Sequence, residues 1–163
     1  MRFMLDTMIF DHIVADAAFA EVVQDAARRG SMTIVTTHVQ EDQIAAIPDD
    51  EKREAISRIP RTVVRTTGLA LGVWRLGMAE FADKKTNATL ERIGRRHLRT
   101  VKDALIAASA RDKADAIVTE DKALRKRVLR EGLNTTLLTF EEFRNHVSFL
   151  KQQVVPHTSP PAV

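Results

Sequence analysis

Cysteine and tyrosine are both absent from this chain of 163 residues, and it holds a single tryptophan. Without cysteine there are no disulfides, no thiolate metal sites and no cysteine nucleophile. Aromatics make up only 5% of the residues, so recognition of single strands by base stacking has little to draw on. Glycine and proline are also scarce, at 6 and 5, which excludes a collagenous or low-complexity chain. No apolar run approaches the roughly 20 residues that span a bilayer. The first apolar residues meet a carboxylate at Asp6, so neither a membrane span nor a secretory leader is expected. A cytoplasmic location follows as the expectation.

Hydrophobic residues make up 44% of the chain and charged residues 29%, a balance suited to a folded core. The length fits one domain. We expect that domain over residues 1–150, followed by a proline-containing tail over residues 151–163. The net charge is +3, but it is unevenly spread. Residues 1–83 carry a net of −4, residues 84–130 a net of +8 and residues 131–163 a net of −1. A basic block inside an acidic chain suits either a polyanionic partner or a solvated helical face.

Apolar periodicity divides the chain into short strands and longer helices. Arg2–Leu5 reads as a strand and is followed by one long helical pattern from Asp6-Thr7 to a glycine stop at Gly30. Met32–Thr36 is a second strand. Thr37-His38-Val39-Gln40 has capping-box spacing and opens the next helix, which Pro48 interrupts. Asp49-Asp50-Glu51 is an acidic first turn for a helix to about Ile59, and Thr62–Thr66 is a third strand. The apolar stretch Gly68–Phe81 reads as a helix and Asp83–Asn87 as a loop. Thr100-Val101-Lys102-Asp103 again has capping-box spacing before a helix through Ala110. Ala116–Thr119 is a short buried strand, Asp121–Arg130 a helix closed by Gly132, Asn134–Leu138 the last strand, and a helix starts at Phe140. Alternation of this kind predicts an α/β fold with three layers, a mostly parallel sheet covered by helices on both faces. In such sheets ligands bind beyond the carboxyl ends of the strands.

Acidic residues recur at that edge. Asp6 follows the first strand, Glu41 and Asp42 follow the second, Asp121 follows Ala116–Thr119, and Asp103 lies in the first turn of the preceding helix. Each has a plain structural reading: Asp6 and Asp121 as helix caps, Asp103 in a capping box, Glu41 on a solvated face. Crowded together, however, carboxylates repel and raise one another's pKa. A divalent cation relieves that repulsion, and Mg²⁺ or Mn²⁺ suits a site that offers only oxygen ligands.

Met4-Leu5-Asp6-Thr7, Asp103-Ala104-Leu105-Ile106-Ala107-Ala108 and Ile117-Val118-Thr119-Glu120-Asp121 resemble, in order and spacing, the acidic motifs of PIN-domain ribonucleases. The resemblance covers roughly residues 2–145. It implies a three-layer PIN-like fold, an acidic cluster holding Mg²⁺ or Mn²⁺, and hydrolysis of RNA phosphodiester bonds. Toxins of VapC type form a large branch of that family, each neutralised by a small antitoxin, and dimer contacts occur in it as well. Asp6, Asp103 and Asp121 match the family's positions as metal ligands and catalytic residues. The second acid does not match: Gln43 stands before Ile44 where the family places a glutamate. At ~100° per residue Glu41 lies about 60° from Ile44 around the helix and Asp42 about 160°, so Glu41 is the better fourth catalytic acid. Gln43 would offer a carbonyl oxygen or hold a water, and Thr7 and Thr119 would orient the carboxylates.

Arg92, Arg95, Arg96, Arg99 and Lys102 lead toward Asp103 and form the expected RNA-binding run, with contacts that are independent of base sequence and sensitive to salt. Lys122, Arg125, Lys126 and Arg127 read as a solvated helix surface. The five histidines show no zinc spacing, and Trp74 reads as core. Ile44, Ile47, Ile56 and Ile59 form an apolar series with two readings, core burial or contact with an antitoxin or a second copy. Three functions compete: a metal-dependent endoribonuclease, a non-catalytic PIN-like module that binds RNA or protein through a degraded metal site, and a phosphohydrolase of small phosphoesters. Against the third, Asp6-Thr7-Met8 lacks the second acid of an Asp-x-Asp pattern.

Overall fold

The structure is a computed structural model and describes residues 1–67, 78–80, 98–130 and 135–152. Five strands, β1 (Arg2–Leu5), β2 (Thr33–Thr37), β3 (Thr62–Val64), β6 (Ala116–Val118) and β7 (Thr136–Leu138), form one sheet in the order β3-β2-β1-β6-β7. Every pairing in it is parallel, with Phe3 opposite both Ile34 and Ala116. A second, two-stranded sheet joins β4 (Thr66–Thr67) to β5 (Ala79–Glu80). Helices α1 (Thr7–Val14), α2 (Ala17–Arg28), α3 (His38–Ala45), α4 (Asp50–Ser57), α5 (Leu98–Lys113), α6 (Lys122–Arg130) and α7 (Phe140–Gln152) complete the described elements. The expected α/β architecture with a parallel central sheet and helices on both faces is the one found.

Strand alternation explains the layers. Phe3 and Leu5 point to one face, where Ile9 and Phe10 of α1, Phe19 and Val23 of α2, Ile56 of α4 and Phe143 of α7 pack on them. Met4 points to the other, against Leu105, Ile106 and Ala107 of α5 and Leu124 and Val128 of α6. Successive strand residues face opposite sides of a sheet, so three consecutive residues serve two cores. Helix α3 lies between them, giving Ile44 to the first cluster and Val39 to the second. Ile44, Ile56 and Ile59 are buried there and Ile47 packs against them. That settles the isoleucine series as core and overturns its reading as a partner contact.

Other expectations are corrected as well. The helix expected from Asp6-Thr7 to Gly30 is two helices, because the Asp16 side chain accepts a hydrogen bond from Phe19 N–H at 3.0 Å and caps α2 afresh. Gly30 does end α2, at φ +72°, a left-handed conformation that suits glycine. Thr100–Asp103 is no helix start, since α5 already begins at Leu98, and Asp103 sits in its second turn. Thr66 belongs to the small sheet rather than to the third strand, donating its N–H to Met78 O at 2.9 Å. Ala79–Glu80, expected within a helix, is a strand because it pairs with Thr66–Thr67. The rest of that expected helix with Trp74, the expected loop over 83–87, Arg92, Arg95, Arg96, Gly132 and the tail over 153–163 lie outside the described residues. No helix among the described residues is long and apolar enough to cross a membrane.

Candidate active site at the carboxyl edge of the sheet

From β1 the chain steps outward through β2 to β3, then returns to place β6 on the opposite side of β1. The carboxyl ends of β1 and β6 therefore flank a topological switch point, where parallel α/β sheets open a crevice for ligands. Asp6 N–H donates to Val118 O at 2.9 Å, which carries the pairing of the two strands one residue past their ends.

Asp6 occupies the N-cap position of α1, yet its carboxylate makes no capping bond to that helix. Its Oδ2 instead accepts the Thr119 hydroxyl at 2.6 Å, across the switch point. Thr119 is fully buried, and its Oγ1 also accepts the Asp121 N–H at 3.0 Å. One hydroxyl thus fixes a carboxylate from β1 and the backbone that starts α6. The structural reading of Asp6 as a helix cap fails. For Asp121 it holds, since Oδ1 accepts Ala123 N–H at 2.7 Å and Leu124 N–H at 3.1 Å. Asp121→Ala is accordingly expected to lower stability by about 1 kcal/mol, whereas Asp121→Asn, which caps as well, stays within a few tenths of wild type. Urea denaturation of the two variants checks this.

Asp103 is brought to the same edge by the direction of α5. Its end runs straight into β6, with Asp115 N–H donating to Arg2 O at 2.8 Å at the amino edge of the sheet. Ten residues of helix rise about 15 Å, and the step from Ala116 to Thr119 spans about 10 Å of strand. Measured along α5, Asp103 therefore stands toward the carboxyl end of the sheet, about 5 Å past the strand ends, one turn before the sheet-packed Ile106 and Ala107. Lys102 adjoins it, half-buried, and Arg99 falls in the first turn of α5.

The acids of α3 behave differently from one another and from expectation. Both Glu41 oxygens are engaged: Oε1 accepts the Thr36 hydroxyl at 2.6 Å and Arg61 Nε at 2.8 Å, and Oε2 accepts Arg61 Nη2 at 2.9 Å. Burial pushes this carboxyl up, but the Arg61 and Thr36 hydrogen bonds and the Arg61 charge outweigh it and hold the pKa below the ordinary glutamate value. Arg61 also donates to Ile56 O and Ile59 O, and its guanidinium lies over the Phe10 ring. Glu41 is thus a structural anchor between α3 and the start of β3. Gln43, not Glu41, meets the residue beside Asp6: its Oε1 accepts the Thr7 hydroxyl at 2.6 Å. Asp42 is partly exposed on the same helix.

Three contributors were not assigned to the site from the sequence. Gln40 is fully buried; its Nε2 donates to Leu5 O at 2.5 Å and its Oε1 accepts Thr37 N–H at 2.7 Å, so it ties the carboxyl ends of β1 and β2 together. The capping-box spacing pointed at Gln40 but not at Leu5. Arg61 shows no motif at all. Arg125, expected on a solvated face, is half-buried and donates to Thr119 O at 3.4 Å. Glu120 points away, its Oε1 accepting Phe140 N–H, and His38 is buried.

Among the described residues, no three acidic or histidine side chains converge on a ready-made metal position. The oxygen-only donor set still suits a hard cation: Mg²⁺ is commonly held by one or two carboxylates with waters and substrate phosphate oxygens completing the shell. Asp6, turned from its helix, would supply one such carboxylate, and Asp121, which uses Oδ1 for its cap, has a second oxygen at the same edge. No protein-family model matches the chain, and no curated protein matches it in sequence.

Proposed function

We propose that the protein is a metal-dependent endoribonuclease of PIN type, with Asp6, Asp103 and Asp121 holding Mg²⁺ or Mn²⁺ at the β1/β6 crevice. The observation that carries this reading is the Asp6 carboxylate, withdrawn from its own helix and fixed across the switch point by Thr119. A carboxylate that forgoes a cap worth about 1 kcal/mol is serving something else. The motif order and the oxygen-only donors support the same chemistry.

The ion, when bound, supplies Lewis acidity, making hydroxide available near neutral pH and offsetting charge at phosphorus. The chain's part is to hold Asp6 in one rotamer through Thr119, to keep the strand ends in place through Gln40, and to leave Gln43 as a neutral hydrogen-bonding group beside Thr7. With Glu41 committed to Arg61, its contribution is to position α3. Arg99 and Lys102, with Arg92, Arg95 and Arg96, form a basic approach for the RNA backbone. A toxin role with a small antitoxin, a homodimeric state and a cytoplasmic location accompany the proposal.

The test is cleavage of single-stranded RNA by the purified protein with Mn²⁺ and with chelator. Cleavage confined to the Mn²⁺ reaction is expected; a chelator-insensitive cut defeats the mechanism. The competing reading, a PIN-like binding module with a degraded metal site, draws on Gln43 and on the lack of a three-acid cluster among the described residues. It expects RNA or protein binding without any cut. Growth arrest on expression separates a toxin from a housekeeping enzyme.

A further inference from the structure

Helix α6 presents its basic residues unequally. Lys122 and Lys126 are exposed, whereas Arg125 is half-buried and reaches back over the first turn to Thr119 O. At 3.4 Å this bond is long against the usual 2.7–3.2 Å for N–H···O. Thr119 is the residue whose hydroxyl holds Asp6, so the guanidinium reaches the residue that fixes the crevice carboxylate. One acid lies within range of its charge: Glu142 of α7, held below the ordinary glutamate value first by the Thr139 N–H and hydroxyl and in smaller part by the Arg125 charge.

A crevice lined by carboxylates repels a phosphodiester unless a cation faces it. Arginine is matched to that task, because its planar fork meets two non-bridging phosphoryl oxygens at once. We propose that Arg125 is a substrate-positioning residue: it exchanges its weak bond to the Thr119 carbonyl for the phosphate next to the scissile bond. This rests on the ribonuclease reading and gives it a specific anchor for the substrate phosphate.

Fluorescence anisotropy of a labelled single-stranded RNA in chelator measures binding apart from cleavage. Arg125→Ala is expected to bind about tenfold more weakly, with a salt slope shallower by about one. Arg125→Lys should recover part of the affinity, and Arg58→Ala, exposed on α4, should match wild type. Melting curves run alongside should leave Arg125→Ala close to wild type, with its Mn²⁺ response intact. Equal affinity and equal salt slope in wild type and Arg125→Ala overturn the proposal even if the enzyme cleaves RNA. So does a loss that tracks a fall in melting temperature and that lysine does not relieve, which assigns Arg125 to the fold. If wild type fails to cleave in Mn²⁺ yet binds RNA through Arg125, the ribonuclease reading fails and the phosphate anchor stands.

Discussion

Asp6→Asn is expected to reduce Mn²⁺-dependent RNA cleavage by more than about a hundredfold, the upper end of what even a supporting residue of a metal site costs. The substitution keeps the shape and retains an oxygen able to accept the Thr119 hydroxyl, but it removes the charge that a hard cation needs. The protein should therefore stay folded, because Asp6 contributes no cap to α1. Thr119→Val tests the other half of the pair. It leaves the β-branched shape in the strand end and removes the hydroxyl that orients Asp6, so a loss of about 10- to 100-fold is expected. Steady-state cleavage assays beside circular dichroism check both. Full activity in Asp6→Asn would sink the assignment of the site.

The largest stability effect is expected away from that crevice, at Glu41. Its carboxylate and Arg61 form a two-point ion pair, with the side chains 28% and 13% exposed. Removing one partner of a buried pair leaves the other charged and unsatisfied, at a cost of about 3 kcal/mol, the low end for such pairs because Glu41 keeps some water contact. For a chain of this size that corresponds to a drop of roughly 6–12 °C in melting temperature for Glu41→Gln. The sign with pH follows from the lowered pKa. A carboxylate whose folded pKa lies below its unfolded value stabilises the fold above the unfolded value, and that contribution disappears as pH falls through the folded one. The gap between wild type and Glu41→Gln should hold at neutral pH and close below the ordinary glutamate value of 4.5. A gap unchanged at low pH would show that the loss is one of packing rather than charge.

Local chemistry carried most of the architecture into the sequence. The short apolar run Arg2–Leu5 announced a strand, and Thr37 with Gln40 announced the start of α3, as found. Asp121 before Lys122 read as a cap and is one. What stayed illegible depends on residues far apart in the chain. Thr119 reaches Asp6 across 113 positions and Arg61 reaches Glu41 across 20, and neither contact leaves a periodic trace. The break at Asp16 was hidden because the apolar spacing continues through it, and Asp103 was misplaced within α5 because threonine and aspartate three apart also occur inside a helix. Angles around α3 favoured Glu41 as the fourth acid, but they carry no information about Arg61, which arrives from the segment after α4.

Thermal melting of wild type and Asp6→Asn with rising Mn²⁺ tests the crevice most directly, because a ligand that binds only the folded state raises its stability with concentration. Wild type should melt progressively higher through the millimolar range, and Asp6→Asn should show little or no shift. A wild type that does not respond, or two proteins that respond equally, would contradict a metal site built on Asp6.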